Sequence, residues 1–304
     1  MNEQEIFLRE LFKKEKINII NNNLQLILNY PKLYTMNIFK ELIFKLIDAG
    51  YEKSILDNFP KLLQISIEDE SIFLIKKTSE LKNGKKTLNY NLQNILDKLN
   101  GEDLLDALKF LNKKNQNTII KKNRYSYNLF KNDLISKNTL GCIIKSDMNL
   151  FVKLLIKEVS NGKKIYKLGS GTTSDVIKTN EFVIKLGETR EKYKIPYHPN
   201  ILQPLLREKI EDKNGNIIFV AEVQPIVDTK KVRNEHIKKI REKFEKDGIK
   251  CFDLHLDNIG LLNKPNKRYL FDGVGGFTDS PKIKTKTLAK GTPVVLDTDL
   301  LERE

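Results

Sequence analysis

The chain lacks the features that mark several broad classes of protein. Only two of its 304 residues are cysteines, Cys142 and Cys251, which argues against a disulfide scaffold and predicts a reducing compartment. It has no run of about 18 apolar residues, so no transmembrane helix is expected. Its start, Met1 to Glu5, is acidic and lacks the apolar core of a signal peptide. We therefore expect a cytoplasmic protein, or one delivered into a host cytoplasm.

Acidic side chains are fewer than basic ones, 40 against 54, which gives a net charge of +14. Such a charge can favour nucleic acid, an acidic membrane surface or an acidic protein partner. The lysines are spread through a background rich in Lys, Asn and Ile, and no zinc pattern, RNA-binding motif or aromatic-basic strip accompanies them. The composition therefore does not favour direct nucleic-acid binding, and it does not indicate an oligomeric state.

The chain divides into two parts by its hydrophobic patterning. Residues 1–158 are typical of helices, with apolar positions at helical spacing in 37–50, in 102–111 and from Asp147 onward. We expect a helical N-terminal domain with a docking, regulatory or structural role. Residues 159–304 alternate short apolar segments with turns and form the second predicted domain.

A glycine-rich loop opens the second domain. Residues 169–176 read Gly-Ser-Gly-Thr-Thr-Ser-Asp-Val between β-type segments, and glycines allow a backbone to approach phosphates without a Cβ clash. The apolar strand that follows carries Lys185, which would leave it to pair with nucleotide phosphates. His198-Pro199-Asn200-Ile201 comes next, and then two strands separated by an Asn-Gly turn.

A second group of polar residues follows an amphipathic helix at 234–247, which Gly248 ends. Asp253 lies five positions before Asn258, and a short strand, Ile259 to Leu262, comes directly after. We predict that this strand pairs with 268–271 across a turn. Asp272 and Gly273 would then follow the strand pair.

Taken in this order, the motifs resemble those of the protein-kinase superfamily. The resemblance covers under half of the chain and is closest to the minimal kinases of bacterial effectors and toxins, or of phage and viral proteins. It implies an α+β protein in which a reduced, two-lobed kinase-like fold, 159–304, follows the helical domain. It further implies ATP and Mg²⁺ as cofactors and a Ser/Thr protein kinase activity on a protein substrate.

The resemblance also implies a role for each matching residue. Asp253 would orient the acceptor hydroxyl, Asn258 and Asp272 would hold Mg²⁺, and Lys185 would neutralise phosphate charge. Glu191, in preference to Glu188, would pair with Lys185.

The same resemblance implies a nucleotide pocket. Backbone groups of Glu222, Val223 and Gln224 would bind adenine, and Ala221 would border the back of the pocket. The loop residues over the nucleotide would be Gly169, Ser170, Gly171, Thr172, Thr173, Ser174 and Val176.

Departures from the family pattern leave alternatives open. Cys251-Phe252 replace the usual His-Arg, and the Phe expected after Asp272 is absent, so a pseudokinase scaffold is one alternative. His255 stands where protein kinases usually have Lys, and the resulting Asp-Leu-His-x-x-Asn form resembles small-molecule kinases of the aminoglycoside and choline kinase type. Asp297, after the apolar run 294–296, is a rival to Asp272 as metal ligand.

Overall fold

The structure, a computed structural model, describes residues 6, 9–12, 16–29, 36–170, 174–187, 198, 200–202, 204–211, 217–251, 254–263, 289–296 and 301–303. The chain divides into two compact units, Met1–Arg124 and Tyr125–Glu304. This division falls earlier than the boundary drawn from the sequence at residue 158. The reason is that helices from residue 137 onward pack on the sheet of the second unit.

The first unit is built of short helices. They are α1 (Ile17–Asn22), α2 (Leu24–Ile27), α3 (Met36–Asp48), α4 (Glu52–Ile65), α5 (Glu68–Glu80), α6 (Gly84–Tyr90), α7 (Leu92–Lys98), α8 (Gly101–Leu108) and α9 (Lys113–Lys122). Apolar residues at intervals of three and four fill the interior, as Ile38, Leu42 and Leu46 do on α3. The helices expected in 37–50 and 102–111 are confirmed as α3 and α8.

Helix α10 (Arg124–Lys131) spans the division, and two longer helices follow it. In α11 (Lys137–Ser146), the Ser136 hydroxyl caps the N-terminus by accepting a hydrogen bond from the N–H of Thr139. In α12 (Asn149–Ser160), the end is marked by Asn161 and Gly162, both with positive φ. Both helices pack against the sheet described next.

A five-stranded antiparallel sheet forms the centre of the second unit. Its strands are β1 (Tyr166–Ser170), β2 (Ser174–Lys178), β3 (Phe182–Gly187), β4 (Leu206–Glu211) and β5 (Ile217–Pro225), in the order β1-β2-β3-β5-β4. Side chains alternate between the two faces of a strand. The Asp175 carboxylate accepts a hydrogen bond from the N–H of Ser136, so it marks the face that α11 covers. Ile177, Ile184 and Leu186 share that face and are fully buried.

The remaining described part of the unit contains one α-helix and two small antiparallel sheets. Their elements are β6 (Val227–Asp228), α13 (Asn234–Lys246), β7 (Ile249–Cys251), β8 (Ile259–Leu262), β9 (Pro293–Val295) and β10 (Leu301–Arg303). The sheets have the strand orders β6-β8-β9 and β10-β7. Ile240 and Phe244 of α13 pack with Ile249, Ile259 and Val295 in one core cluster.

Strand β8 pairs with two segments that the sequence did not suggest. Residues 268–271, the nearest apolar segment downstream and the predicted partner, lie outside the described residues. In the described part of the chain β8 lies between β6 and β9, and the N–H and C=O of Leu262 bond to Thr292 and Gly291. The edges of β8 are therefore used by segments farther away in the chain.

The predicted α+β class is confirmed by the helical region and the antiparallel sheet. Within the described residues, no helix combines the length and the apolar character needed to cross a membrane.

Candidate active site

Lys185 lies on the face of the large sheet that α11 does not cover. It is half-buried, and its direct neighbours are Val176 on β2 and Glu222 on β5. Arg207 on β4 is in turn the neighbour of Glu222. The four residues therefore form one row across four strands, with the predicted loop residue Val176 beside the predicted catalytic lysine.

Glu222 forms a buried ion pair within this row. Its Oε2 lies 3.3 Å from Nε of Arg207, and the two side chains are only 5% and 2% exposed. Its Oε1 accepts a hydrogen bond from Nε2 of Gln224, which also lies 3.5 Å from the carbonyl oxygen of Leu296. Neither Arg207 nor this polar cluster was singled out from the sequence. The available signal was Glu222, a charge within the apolar strand β5, because a buried charge needs a partner.

The backbone of Glu222 and Val223 lies inside β5, between β3 and β4. The Val223 carbonyl, for example, accepts a hydrogen bond from the N–H of Leu205 at 2.7 Å. Backbone N–H and C=O groups of this strand are already hydrogen-bonded to β3 and β4. An adenine bound by Glu222 and Val223 would have to compete with these bonds. Ala221 pairs with Leu186 and so lies on the α11 face, opposite to Lys185 and not beside the predicted pocket.

The glycine-rich loop joins β1 to β2. Of its predicted residues, Gly169, Ser170, Ser174 and Val176 lie in these strands, and residues 171–173 lie outside the described residues. A Cβ added to Gly169 would meet no atom within 4 Å. Packing therefore does not require a glycine here, and the open space leaves room for a ligand above the sheet.

Asn258 ends a 3₁₀ turn, Leu256–Asn258, that leads directly into β8. The turn is closed by hydrogen bonds from the Asn258 N–H to the His255 carbonyl and from the Asp257 N–H to Nδ1 of His255. The imidazole of His255 is 47% exposed. Asp253 lies outside the described residues, two positions after β7 ends at Cys251.

Two contacts bring the chain after β9 to this turn. The N–H of Leu296 donates a 2.8 Å hydrogen bond to the carbonyl of Asn258, and β10 pairs with β7 on the other side of the loop. Asp297 is the residue after Leu296. Asp297, Asp272, Glu188 and Glu191 lie outside the described residues.

His198 anchors the segment that runs beside β9. It is 4% exposed, its Nδ1 accepts a hydrogen bond from the N–H of Asn200, and its Nε2 lies 2.9 Å from a carboxylate oxygen of Asp247. Because Nδ1 is an acceptor, Nε2 carries the proton and donates to Asp247. Asn200 then accepts a hydrogen bond from the N–H of Val295. The sequence gave no sign of this contact, since a partner 49 residues away leaves no local pattern.

A groove of about 930 Å³ lies between α13 and the loop at 254–257. Its lining mixes apolar and charged side chains, among them Ile237, Arg241, Glu245, Leu254, His255 and Asp257. It is open to solvent beside the turn that carries Asn258.

Asn258 is the described residue among the predicted Mg²⁺ ligands. Among the described residues, no three His, Cys, Asp or Glu side chains cluster as a metal site. Mg²⁺ needs few protein ligands, since one or two oxygen donors plus phosphates and waters complete its coordination. The amide oxygen of Asn258 and the carboxylate of Asp272 or Asp297, the two candidates from the sequence, would meet this need.

No protein-family model, curated protein or solved structure matches the chain.

Proposed function

We propose that the chain is an ATP- and Mg²⁺-dependent phosphotransferase, a Ser/Thr protein kinase with a reduced, two-lobed catalytic domain. The observation that carries the proposal is the way the described chain is held around Asn258. Strand β7 ends at Cys251 and pairs with β10, and the carbonyl of Asn258 accepts a hydrogen bond from the N–H of Leu296. Leu296, the residue before Asp297 in the sequence, is thereby bonded to the residue proposed to hold Mg²⁺.

The large sheet supports the nucleotide half of the proposal. Its strand order, β1-β2-β3-β5-β4, places Lys185 beside the strand that leaves the glycine-rich loop. An ammonium group at this position would neutralise phosphate charge. Because α11 covers the other face, the nucleotide would bind on the Lys185 face, with its base near the chain that leaves β5.

The chemistry is a single transfer. The acceptor hydroxyl, oriented by Asp253, forms a bond to the γ-phosphorus, and the bond between that phosphorus and the β,γ-bridging oxygen breaks. The hydroxyl proton passes to Asp253, and ADP leaves with the electron pair of the broken bond. Bound Mg²⁺ would neutralise charge on the phosphates, and Asn258 would contribute one of its ligands.

Of the two aspartates considered for the second metal ligand, Asp297 is favoured. The resemblance requires an aspartate directly after a pair of strands that follows the asparagine. That pair is β8 and β9, and Asp297 is two residues past the end of β9. Asp272 was ranked first because the partner of β8 was expected at 268–271.

A small-molecule kinase is a second candidate, favoured by the exposed imidazole of His255. It stands at the start of the 3₁₀ turn, where it could reach a transferred phosphate. The non-enzymatic alternative is a pseudokinase that acts as a scaffold. It is motivated by Cys251-Phe252 in place of the family's usual His-Arg and by the absence of the Phe expected after Asp272.

Transfer from γ-labelled ATP tests the proposal. Wild-type protein, Asp253→Ala and Lys185→Ala are each incubated with Mg²⁺ and either a protein lysate or a panel of hydroxyl metabolites. We expect label in proteins with wild type alone. Label confined to metabolites would favour the small-molecule kinase, and wild-type transfer no greater than that of the variants would favour the scaffold.

A further inference from the structure

A buried carboxylate sits between two cationic residues on the face proposed to bind the nucleotide. Glu222 of β5 is directly opposite Lys185 of β3 on one side and Arg207 of β4 on the other. Side chains directly opposite on one face have Cβ atoms about 4.5–5.5 Å apart. Either cation is therefore within reach of the Glu222 carboxylate.

Arg207 and Gln224 take up the two oxygens of this carboxylate. Oε2 pairs with Nε of Arg207, and Oε1 accepts from Nε2 of Gln224. A buried carboxylate needs a compensating cation. If Arg207 were removed, the other cation directly opposite Glu222 would be Lys185.

We infer that Arg207 is a positioning residue that keeps Glu222 from capturing Lys185. A Lys185–Glu222 pair would hold the ammonium against β5 and compete with the phosphates of the nucleotide. Arginine suits this task, since its planar guanidinium offers several donors and stays charged when buried, whereas lysine is a mobile point charge. The inference rests on the proposed function, because it assigns Lys185 to a phosphate.

The same cluster reaches the metal side of the proposed site. Nε2 of Gln224 lies 3.5 Å from the Leu296 carbonyl, and the N–H of Leu296 bonds to the carbonyl of Asn258. A short series of polar contacts thus runs from Glu222 to the residue proposed to hold Mg²⁺. Gln224 offers a second way to disturb Glu222 without removing the ion pair.

The test measures the dissociation constant of Mg-ATP for the full-length protein by calorimetry, at a temperature where circular dichroism shows every variant folded. We expect Arg207→Met to weaken binding at least about tenfold, a change of about 1.4 kcal/mol. Adding Glu222→Gln should restore binding to within about threefold of wild type, since a neutral amide does not capture an ammonium. Thr139→Ala is the control, because it removes a hydroxyl that bonds the Leu186 carbonyl on the opposite face. It should lower the melting temperature and leave binding unchanged.

A purely structural role for Arg207 predicts that folded Arg207→Met binds Mg-ATP like wild type, and this result would overturn the inference. So would a double variant no better than Arg207→Met. If Arg207→Met does not fold, Gln224→Leu makes the test with the arginine kept. It removes the donor to Oε1 of Glu222 and leaves that oxygen available to Lys185, so Mg-ATP binding should weaken. Adding Glu222→Gln should restore it. Wild-type protein that does not bind Mg-ATP would refute the proposed function itself, and the inference with it.

Discussion

The backbone N–H of Leu296 donates a hydrogen bond of 2.8 Å to the carbonyl of Asn258. This contact joins two residues 38 positions apart in the chain. Leu296 directly precedes Asp297 in the sequence, which is why we favour Asp297 over Asp272 as the second ligand of the proposed metal site.

The first prediction separates the two candidate metal ligands. Asp297→Asn should reduce Mg²⁺-dependent phosphoryl transfer by about two orders of magnitude, as expected when a charged group that stabilises the transition state is lost. Asp272→Asn makes the same chemical change and should keep transfer within about threefold of wild type. Initial rates over a Mg²⁺ titration measure both. If Asp272→Asn alone greatly reduced phosphoryl transfer, Asp272 and not Asp297 would be the metal ligand.

The second prediction concerns the contact between β6 and β8. A Cβ at Gly260 would lie 2.2 Å from Cγ2 of Val227, which forces the strands apart. Gly260→Ala should therefore lower the free energy of unfolding by about 1–3 kcal/mol, the usual cost of overpacking. Denaturant titration measures the loss.

Two further variants control this experiment. Gly169→Ala adds the same methyl group where nothing lies within 4 Å, and it should leave the unfolding free energy nearly unchanged. Val227→Ala removes the clashing methyl groups, so the Gly260→Ala, Val227→Ala double variant should recover part of the loss. Equal stability of Gly260→Ala and wild type would contradict the close approach.

The third prediction is a pH dependence in the first unit. Burial raises the pKa of Glu70, although the Ile67 N–H donates to its carboxylate and Lys40 and Lys98 act in the opposite direction. A folded-state pKa above the unfolded value means that the native state binds more protons. Glu70 therefore contributes stability at low pH, and this contribution falls as pH rises through its unfolded and then its folded pKa.

Glu70→Gln should remove this part of the pH dependence. Unfolding free energies of wild type and variant, measured between about pH 4 and pH 7, should differ in slope, with wild type declining more steeply as pH rises. Glu80→Gln is the matched control, because Glu80 is exposed and pairs only with Lys77 among the described side chains. Parallel curves for Glu70→Gln and wild type would refute the prediction.

The fourth prediction concerns the smallest fragment in which the large sheet of the second unit folds. A fragment of residues 125–304 keeps α11 and α12 against the large sheet, whereas 159–304 exposes Ile177, Ile184 and Leu186. An exposed apolar sheet face favours aggregation. We expect the longer fragment to elute as a folded species with a cooperative thermal transition, and the shorter one to aggregate. A soluble, cooperative 159–304 fragment would show that the helices are not needed.

Local patterns in the sequence predicted much of this fold. Helical periodicity identified α3 and α8, and the apolar segment that carries Lys185 is strand β3. The pairing of β8 with β6 and β9 was missed because strand pairing is decided by segments that are distant in the chain. For the same reason the sequence did not show that Ala221 faces away from Lys185, and it gave no sign of the Arg207–Glu222 pair.

The cover on the large sheet has a consequence for how the protein is made. Chains emerge from the ribosome N-terminus first, so α11 and α12 are synthesised before any strand of the sheet they cover. When β2 and β3 emerge, their apolar side chains meet helices that are already present. The sheet of the second unit is thus synthesised after the helices that cover it, so its apolar face can be buried as soon as its strands form.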